Sequence, residues 1–200
     1  MKQTFNTRDR MKFFGIKPSK SLGQNFLNDI GVVQEIVYCA GLTKEDLVIE
    51  VGPGLGVMTD LLAEAAGQVI AVEIDRSLIP PLQAVCAEHP NIELIEGDIL
   101  KVDIQKIASE RIENSCGALK SIKVVANLPY YITTPVILSF LEQKMPYLRS
   151  MTFMVQKEVA QRMTAPPGGK EYGALTVATG YFSEAKIEFL VPPHCFLPQP

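Results

Sequence analysis

The sequence predicts an α/β domain, a mainly parallel sheet with helices on both faces. Short apolar, β-branched runs recur at residues 47–51, 68–75, 92–96, 122–126 and 151–155, with helically spaced stretches between them. The runs are close to continuously apolar rather than alternating, as strands covered on both faces must be. The first of them ends in Gly52-Pro53-Gly54-Leu55-Gly56, a glycine turn that opens a helix, and strand, glycine turn and helix together begin a nucleotide-binding α/β unit.

In chain order, a helix is expected from about Asp29, with Val32, Val33, Ile36, Val37 and Ala40 on one face. Asn28 or Asp29 would cap it and Gly41 would end it. After the glycine turn, Met58, Leu61, Leu62 and Ala65 give a helical face that stops at Gly67. Pro80-Pro81 suits the first turn of the next helix, packed through Leu82, Val85 and Cys86. Residues 101–120 read as a partly helical connection, and further helices are expected at about 135–143 and 157–163. Residues 165–170 read as a mobile loop. The stretch 173–181 reads as helix despite the strand cues of Thr176, Val177 and Thr179. Residues 187–191 read as a sixth strand before a proline-rich tail.

Two hundred residues, 47% hydrophobic and 20% charged, suit one domain with a sizeable core. No apolar run is long enough to span a bilayer and no signal segment opens the chain, so a cytoplasmic protein is expected. Cys39, Cys86, Cys116 and Cys195 are scattered without a C-x-x-C pair, which points to buried thiols and to no metal site. The net charge of −3 is unevenly spread. Residues 1–30 hold Lys2, Arg8, Arg10, Lys12, Lys17 and Lys20 against Asp9 and Asp29, a net of +4, which leaves −7 for the remainder. The division is therefore a basic arm with an adjoining motif at 1–28 and a catalytic-type domain at 29–200. Such an arm either meets a polyanion or is a solvated terminus.

Ligands of a parallel sheet bind beyond the carboxyl ends of its strands, and here those ends carry Gly52, Glu73, Asp98 and Asn127. The G-x-G-x-G spacing differs from the G-x-G-x-x-G of dinucleotide enzymes, and no Lys-Ser/Thr pair follows, which excludes a P-loop. Glu73 stands where an acid accepts from ribose hydroxyls, with Asp75 as its competitor. Asp98 can accept from the exocyclic amine of an adenine between Ile74 and Ile99, or serve as a turn residue. The stretch Asn127-Leu128-Pro129-Tyr130 suits methylation of a base amine. The Asn127 side-chain oxygen and the Leu128 carbonyl would accept the two N–H bonds. Pro129 stiffens the turn, and Tyr130 offers a face on which an extruded base can stack. A β-turn with a core tyrosine would use the same residues.

Taken in order, L-G-Q-N-F-L at 22–27, E-V-G-P-G-L-G at 50–56, V-E-I-D at 72–75, G-D-I-L at 97–100, A-N-L-P-Y-Y-I-T-T-P at 126–135 and Q-K-E-V-A-Q-R-M at 156–163 resemble the universal small-subunit ribosomal RNA adenine dimethyltransferases. The resemblance implies a Rossmann-like S-adenosylmethionine-dependent methyltransferase sheet. It also implies dimethylation of N6 of two adjacent adenosines near the 3′ end of the RNA, within an immature 30S particle, by a monomer. It implies Asn25, Leu27, Gly52, Gly54, Glu73, Ile74, Asp98, Ile99 and Asn127 around the cofactor. At the target base it implies Asn127, Leu128, Pro129 and Tyr130, with Phe196 covering the second face. That family continues into a small helical domain, so a chain ending at Pro200 is expected to be the catalytic portion alone. Two other readings share the scaffold. One is the large-subunit RNA dimethylase of antibiotic resistance, the other a non-catalytic nucleic-acid-binding factor.

Overall fold

The computed structural model describes residues 7–19 and 22–200. Its centre is a five-stranded sheet of β2 (Asp46–Val51), β3 (Gln68–Glu73), β4 (Ile92–Glu96), β5 (Ser121–Asn127) and β6 (Leu148–Met154). The strands are parallel throughout, in the order β4-β3-β2-β5-β6. The chain builds outward from β2 to β4, then restarts on the other side with β5. A switch point therefore lies where β2 and β5 end side by side. Every residue of β2 is buried, as the apolar run requires.

Alternate residues of each strand feed two cores. Leu47, Ile49, Val124 and Ala126 meet α5 (Ile104–Asn114) and α6 (Thr133–Glu142) on one face. On the other, Val48, Val69 and Val125 meet α2 (Ile30–Cys39) and α3 (Val57–Ala65). Asp29 caps α2 through bonds from the Gly31 and Val32 amides. Gly67 follows α3 for a reason of space, because a Cβ there would lie 2.2 Å from the Lys44 carbonyl oxygen. The diproline opens α4 (Ile79–Glu88) as expected.

Three expectations need correction, and one pairing was not expected. Residues 187–191 form no strand: Phe189 and Val191 are anchored on the core while Ile187 and Leu190 point outward. Ile187 breaks the period of two that Phe189 and Val191 would set, and a strand needs a hydrogen-bonded neighbour, whereas among the described residues the outer edge of β6 pairs with none. The fifth strand begins at Leu148 rather than Met151, with a register shift opposite Ile122 and Lys123. The basic arm contains a helix, α1 (Thr7–Phe14), whereas Lys2 and Lys20 lie outside the described residues. Finally, β1 (Phe26–Leu27) pairs antiparallel with β7 (Phe196–Leu197). Two-residue strands carry no period to read.

Helices α7 (Lys157–Met163) and α8 (Ala174–Phe182) complete the fold. The strand preference of the threonines in α8 is overridden locally. Thr179 donates to the Leu175 carbonyl at 2.7 Å, and Thr176 donates to the Arg162 carbonyl of α7, so both buried hydroxyls are satisfied in the helix.

Candidate functional site

At the carboxyl edge of the sheet lies a cleft of about 1380 Å³, and it gathers almost every residue singled out above. Asn25, Gly52, Gly54, Glu73, Ile74, Asp98, Ile99, Asn127, Leu128, Pro129, Tyr130 and Phe196 all line it. Leu27 does not. Its side chain is packed into the core, and its carbonyl accepts from the Thr7 hydroxyl. Any contact from Leu27 to a ligand would have to be made by its backbone.

Gly52, Gly54 and Gly56 have φ of 65°, 63° and 77°, the left-handed region that glycine enters without strain. A Cβ on Gly52 would meet nothing within 4 Å, so its absence leaves room for a ligand against the backbone. Glu73 is 4% exposed and holds this loop in place. Its Oε2 accepts from the Gly54 amide at 3.1 Å and its Oε1 from the Asp75 amide at 2.8 Å. Burial pushes its carboxyl above the usual carboxylate range, against the pull of those two bonds. Each oxygen retains a further lone pair for a ligand hydroxyl.

The competitor Asp75 is committed elsewhere. Its Oδ1 accepts from the Ser77 amide and hydroxyl, and its Oδ2 from Gln24 Nε2 at 2.6 Å. Asp98 makes the turn that its alternative reading foresaw, accepting from the Leu100 amide at 3.1 Å and lying 3.4 Å from Lys101 Nζ. It nevertheless remains on the cleft wall. Ile74 is half exposed beside it, whereas Ile99 is 6% exposed and belongs mainly to the core.

Across the cleft, the Leu128 amide donates to the Met154 carbonyl and fixes the turn that follows β5. The Pro129 carbonyl accepts from the Thr133 hydroxyl at the head of α6. Asn127 Nδ2 donates to the Asn25 carbonyl at 3.4 Å, which turns its side-chain oxygen away from that partner. Tyr130 is exposed at the rim. Its neighbour Tyr131 sits against Gly23, where a Cβ would lie 3.6 Å from the ring. Burial, followed by the charges of Asp98 and Glu73, raises the Tyr131 phenol pKa.

Helix α1 closes the back of the glycine turn. Arg10 is buried, donating from Nη1 to the Leu55 carbonyl at 2.9 Å and from Nη2 to Asp60 Oδ2 at 3.1 Å. His89 Nε2 lies 2.5 Å from the other Asp60 oxygen. Arg10 is therefore a clasp rather than part of a polyanion-binding arm, while Arg8, Lys12 and Lys17 stay exposed. A basic side chain in so short a helix gives no sign in sequence of what it faces.

The chain as a whole has relatives among known proteins. The family model for ribosomal RNA adenine dimethylase matches residues 15–200. The chain belongs to the ribosomal RNA adenine dimethylase family. Within it, the chain is 48% identical over 194 residues to ribosomal RNA small subunit methyltransferase A of Alkaliphilus oremlandii, covering 97% of this chain and 66% of that protein. It is also 48% identical over its whole length to the protein of the same name from Lachnoclostridium phytofermentans, again covering 66% of it. The chain thus spans just under two thirds of the curated relatives it matches. Among solved structures it resembles a dimethyladenosine transferase from Plasmodium falciparum, with a TM-score of 0.75 and 29% identity over 88% of this chain and 59% of that one. It also resembles the 23S rRNA methyltransferase ErmE, with a TM-score of 0.70 and 30% identity over 88% of this chain and 65% of that one. A dimethyladenosine transferase and a 23S rRNA methyltransferase therefore share the architecture described here.

Proposed function

We propose that the chain is the catalytic part of a monomeric, cytoplasmic S-adenosylmethionine-dependent enzyme. It dimethylates N6 of two adjacent adenosines near the 3′ end of small-subunit ribosomal RNA, within an immature 30S particle. The observation that carries this reading is Asn127. Its amide is held by the Asn25 carbonyl, so its oxygen is left for a target amine at the edge of a cleft that also contains Glu73. Greater identity to small-subunit methyltransferases than to ErmE favours the small-subunit RNA as substrate.

When bound, S-adenosylmethionine supplies an electrophilic methyl group. Glu73 would take its ribose hydroxyls, and Asp98 would take the amine of its adenine beside Ile74 and Ile99. Gly52 and Gly54 would admit its methionine end, while Asn25 and the Leu27 backbone would cover it. The target base stacks on Tyr130, with Phe196 over its other face. Because the N6 lone pair is delocalised into the ring, the nitrogen must become more tetrahedral to react. In the first transfer, acceptance of its two N–H bonds by Asn127 Oδ1 and the Leu128 carbonyl does this, with Pro129 offering no competing donor; in the second, one of the two acceptors holds the single N–H that remains. Asn127 cannot act as a base, so catalysis is by orientation and electrostatics, and the proton leaves to water after the methyl has transferred.

The test is transfer of labelled methyl to under-methylated 30S particles and, in parallel, to 23S RNA. Label in the 30S particle, lost in an Asn127→Ala variant, is the expected result. Label in 23S RNA alone would assign the chain to the large-subunit enzymes. A binding factor would transfer none and would retain its biological effect as Asn127→Ala.

A further inference from the structure

The segment that covers the cleft is tied down by a side chain with no role in the scheme above. Gln24 Oε1 accepts from the Ser19 amide at 2.8 Å and its Nε2 donates to Asp75 Oδ2 at 2.6 Å. The Gln24 amide also donates to the Ser19 carbonyl at 3.2 Å, a second tie between the same two residues. The orientation of the Gln24 side chain is forced, since a backbone N–H can only donate and a carboxylate can only accept. A bond from an amide to a charged acceptor is also among the stronger ones available.

Both ends of this tie matter to the site. Asp75 is two residues beyond Glu73, and its amide donates to the Glu73 carboxylate, which in turn holds Gly54. Gln24 directly precedes Asn25, whose carbonyl receives the Asn127 side chain. Hydrogen bonds and single chain steps thus run around the mouth of the cleft, from Gly54 through Glu73, Asp75, Gln24 and Asn25 to Asn127. The cover cannot lift without breaking the Gln24–Asp75 bond, and on lifting it removes the acceptor that orients Asn127.

We infer that Gln24 is a positioning residue: its bond to Asp75 latches residues 22–25 over the S-adenosyl ligand and, through the Asn25 carbonyl, keeps the Asn127 oxygen turned to the target amine. The inference rests on the function proposed above, and it couples retention of the cofactor to readiness of the amine acceptor. Ligand exchange and disorientation of Asn127 become one event.

The latch can be broken from either side and rebuilt with its polarity exchanged. Asp75→Asn keeps the cap on Ser77 but sets one amide NH₂ against another. Gln24→Glu still accepts from Ser19 but sets one carboxylate against another. In the double variant the carboxylate introduced at position 24 accepts from the amide introduced at position 75, and the bond returns. Release of S-adenosylhomocysteine is expected to quicken about tenfold in each single variant, as for loss of a bond to a charged group, and to return towards the original rate in the double. Exchange of the Asn127 side-chain NH₂ protons should follow the same pattern. A merely structural turn would show no reciprocal rescue, so singles without effect or a double as impaired as the singles would overturn the latch. Failure of the unaltered chain to bind S-adenosylhomocysteine would count against the proposed function instead. The latch would then be decided by exchange of the Ser19 amide in the ligand-free protein, where quickening in the singles and recovery in the double sustain it, and any other pattern refutes it.

Discussion

One carboxyl group sets a pH dependence on the fold. Glu50 is fully buried on β2, immediately before the glycine turn, with no hydrogen bond of ordinary length among the described residues. Its polar neighbour is the Thr59 hydroxyl of α3, itself 1% exposed. Burial pushes the Glu50 carboxyl up to about 8 from an ordinary 4.5. Thr59 opposes the rise, and the nearby Glu73 charge adds to it. Below that window the group is protonated whether the chain is folded or not. Within it the folded protein keeps a proton that the unfolded chain has released, so stability falls as pH rises, by up to about 1.4 kcal/mol per pH unit. Glu50→Gln should remove most of this slope in urea unfolding followed across the window. Some slope will persist because the Glu73 carboxyl is raised in the same direction. Parallel curves for variant and original would show that another group is responsible.

Among the elements, α1 has the least expected role. Thr7 and Arg10 bind the carbonyls of Leu27 and Leu55, so one short helix grips both the covering segment and the glycine turn. Arg10→Ala would leave the Leu55 carbonyl and one Asp60 oxygen without their partner in a largely buried place, which should cost about 2 kcal/mol in thermal or chemical unfolding. Because the glycine turn itself is loosened, cofactor affinity should fall as well; a change in stability alone would confine α1 to a packing role. The sequence offered no sign of this, since an apolar face through Met11 predicts packing but says nothing of which carbonyls Thr7 and Arg10 will meet. The sheet, by contrast, was legible because β2, β3 and β5 are buried on both faces and their apolar runs allow no other reading. Glu73 and Asn127 were legible for a related reason: a polar residue ending such a run must face the cleft. Tyr131 and Gln24 lay inside recognised motifs, but their partners Gly23 and Asp75 come from other parts of the chain, and no spacing encodes them.

For the molecule as a whole, charge is unevenly spread along the chain. The chain is acidic overall at −3, yet Arg8, Lys12 and Lys17 are exposed at the amino-terminal end. Neutralising these three should lower the steepness of the salt dependence of RNA binding by up to about 2, roughly 0.7 per phosphate contact on single-stranded RNA. An unchanged slope would mean that the amino-terminal segment serves only to clasp the glycine turn. The pairing of β1 with β7 has a different kind of consequence. Phe26 meets Leu197 and Leu27 meets Phe196, so the covering segment and the wall that bears Phe196 come from stretches far apart in the sequence. Contacts of such long sequence separation are entropically expensive and tend to form late. During synthesis the sheet can assemble as its strands emerge, but the mouth of the cleft cannot close until Phe196 and Leu197 have left the ribosome. The scaffold of the site can therefore stand before the walls that enclose its ligand have met.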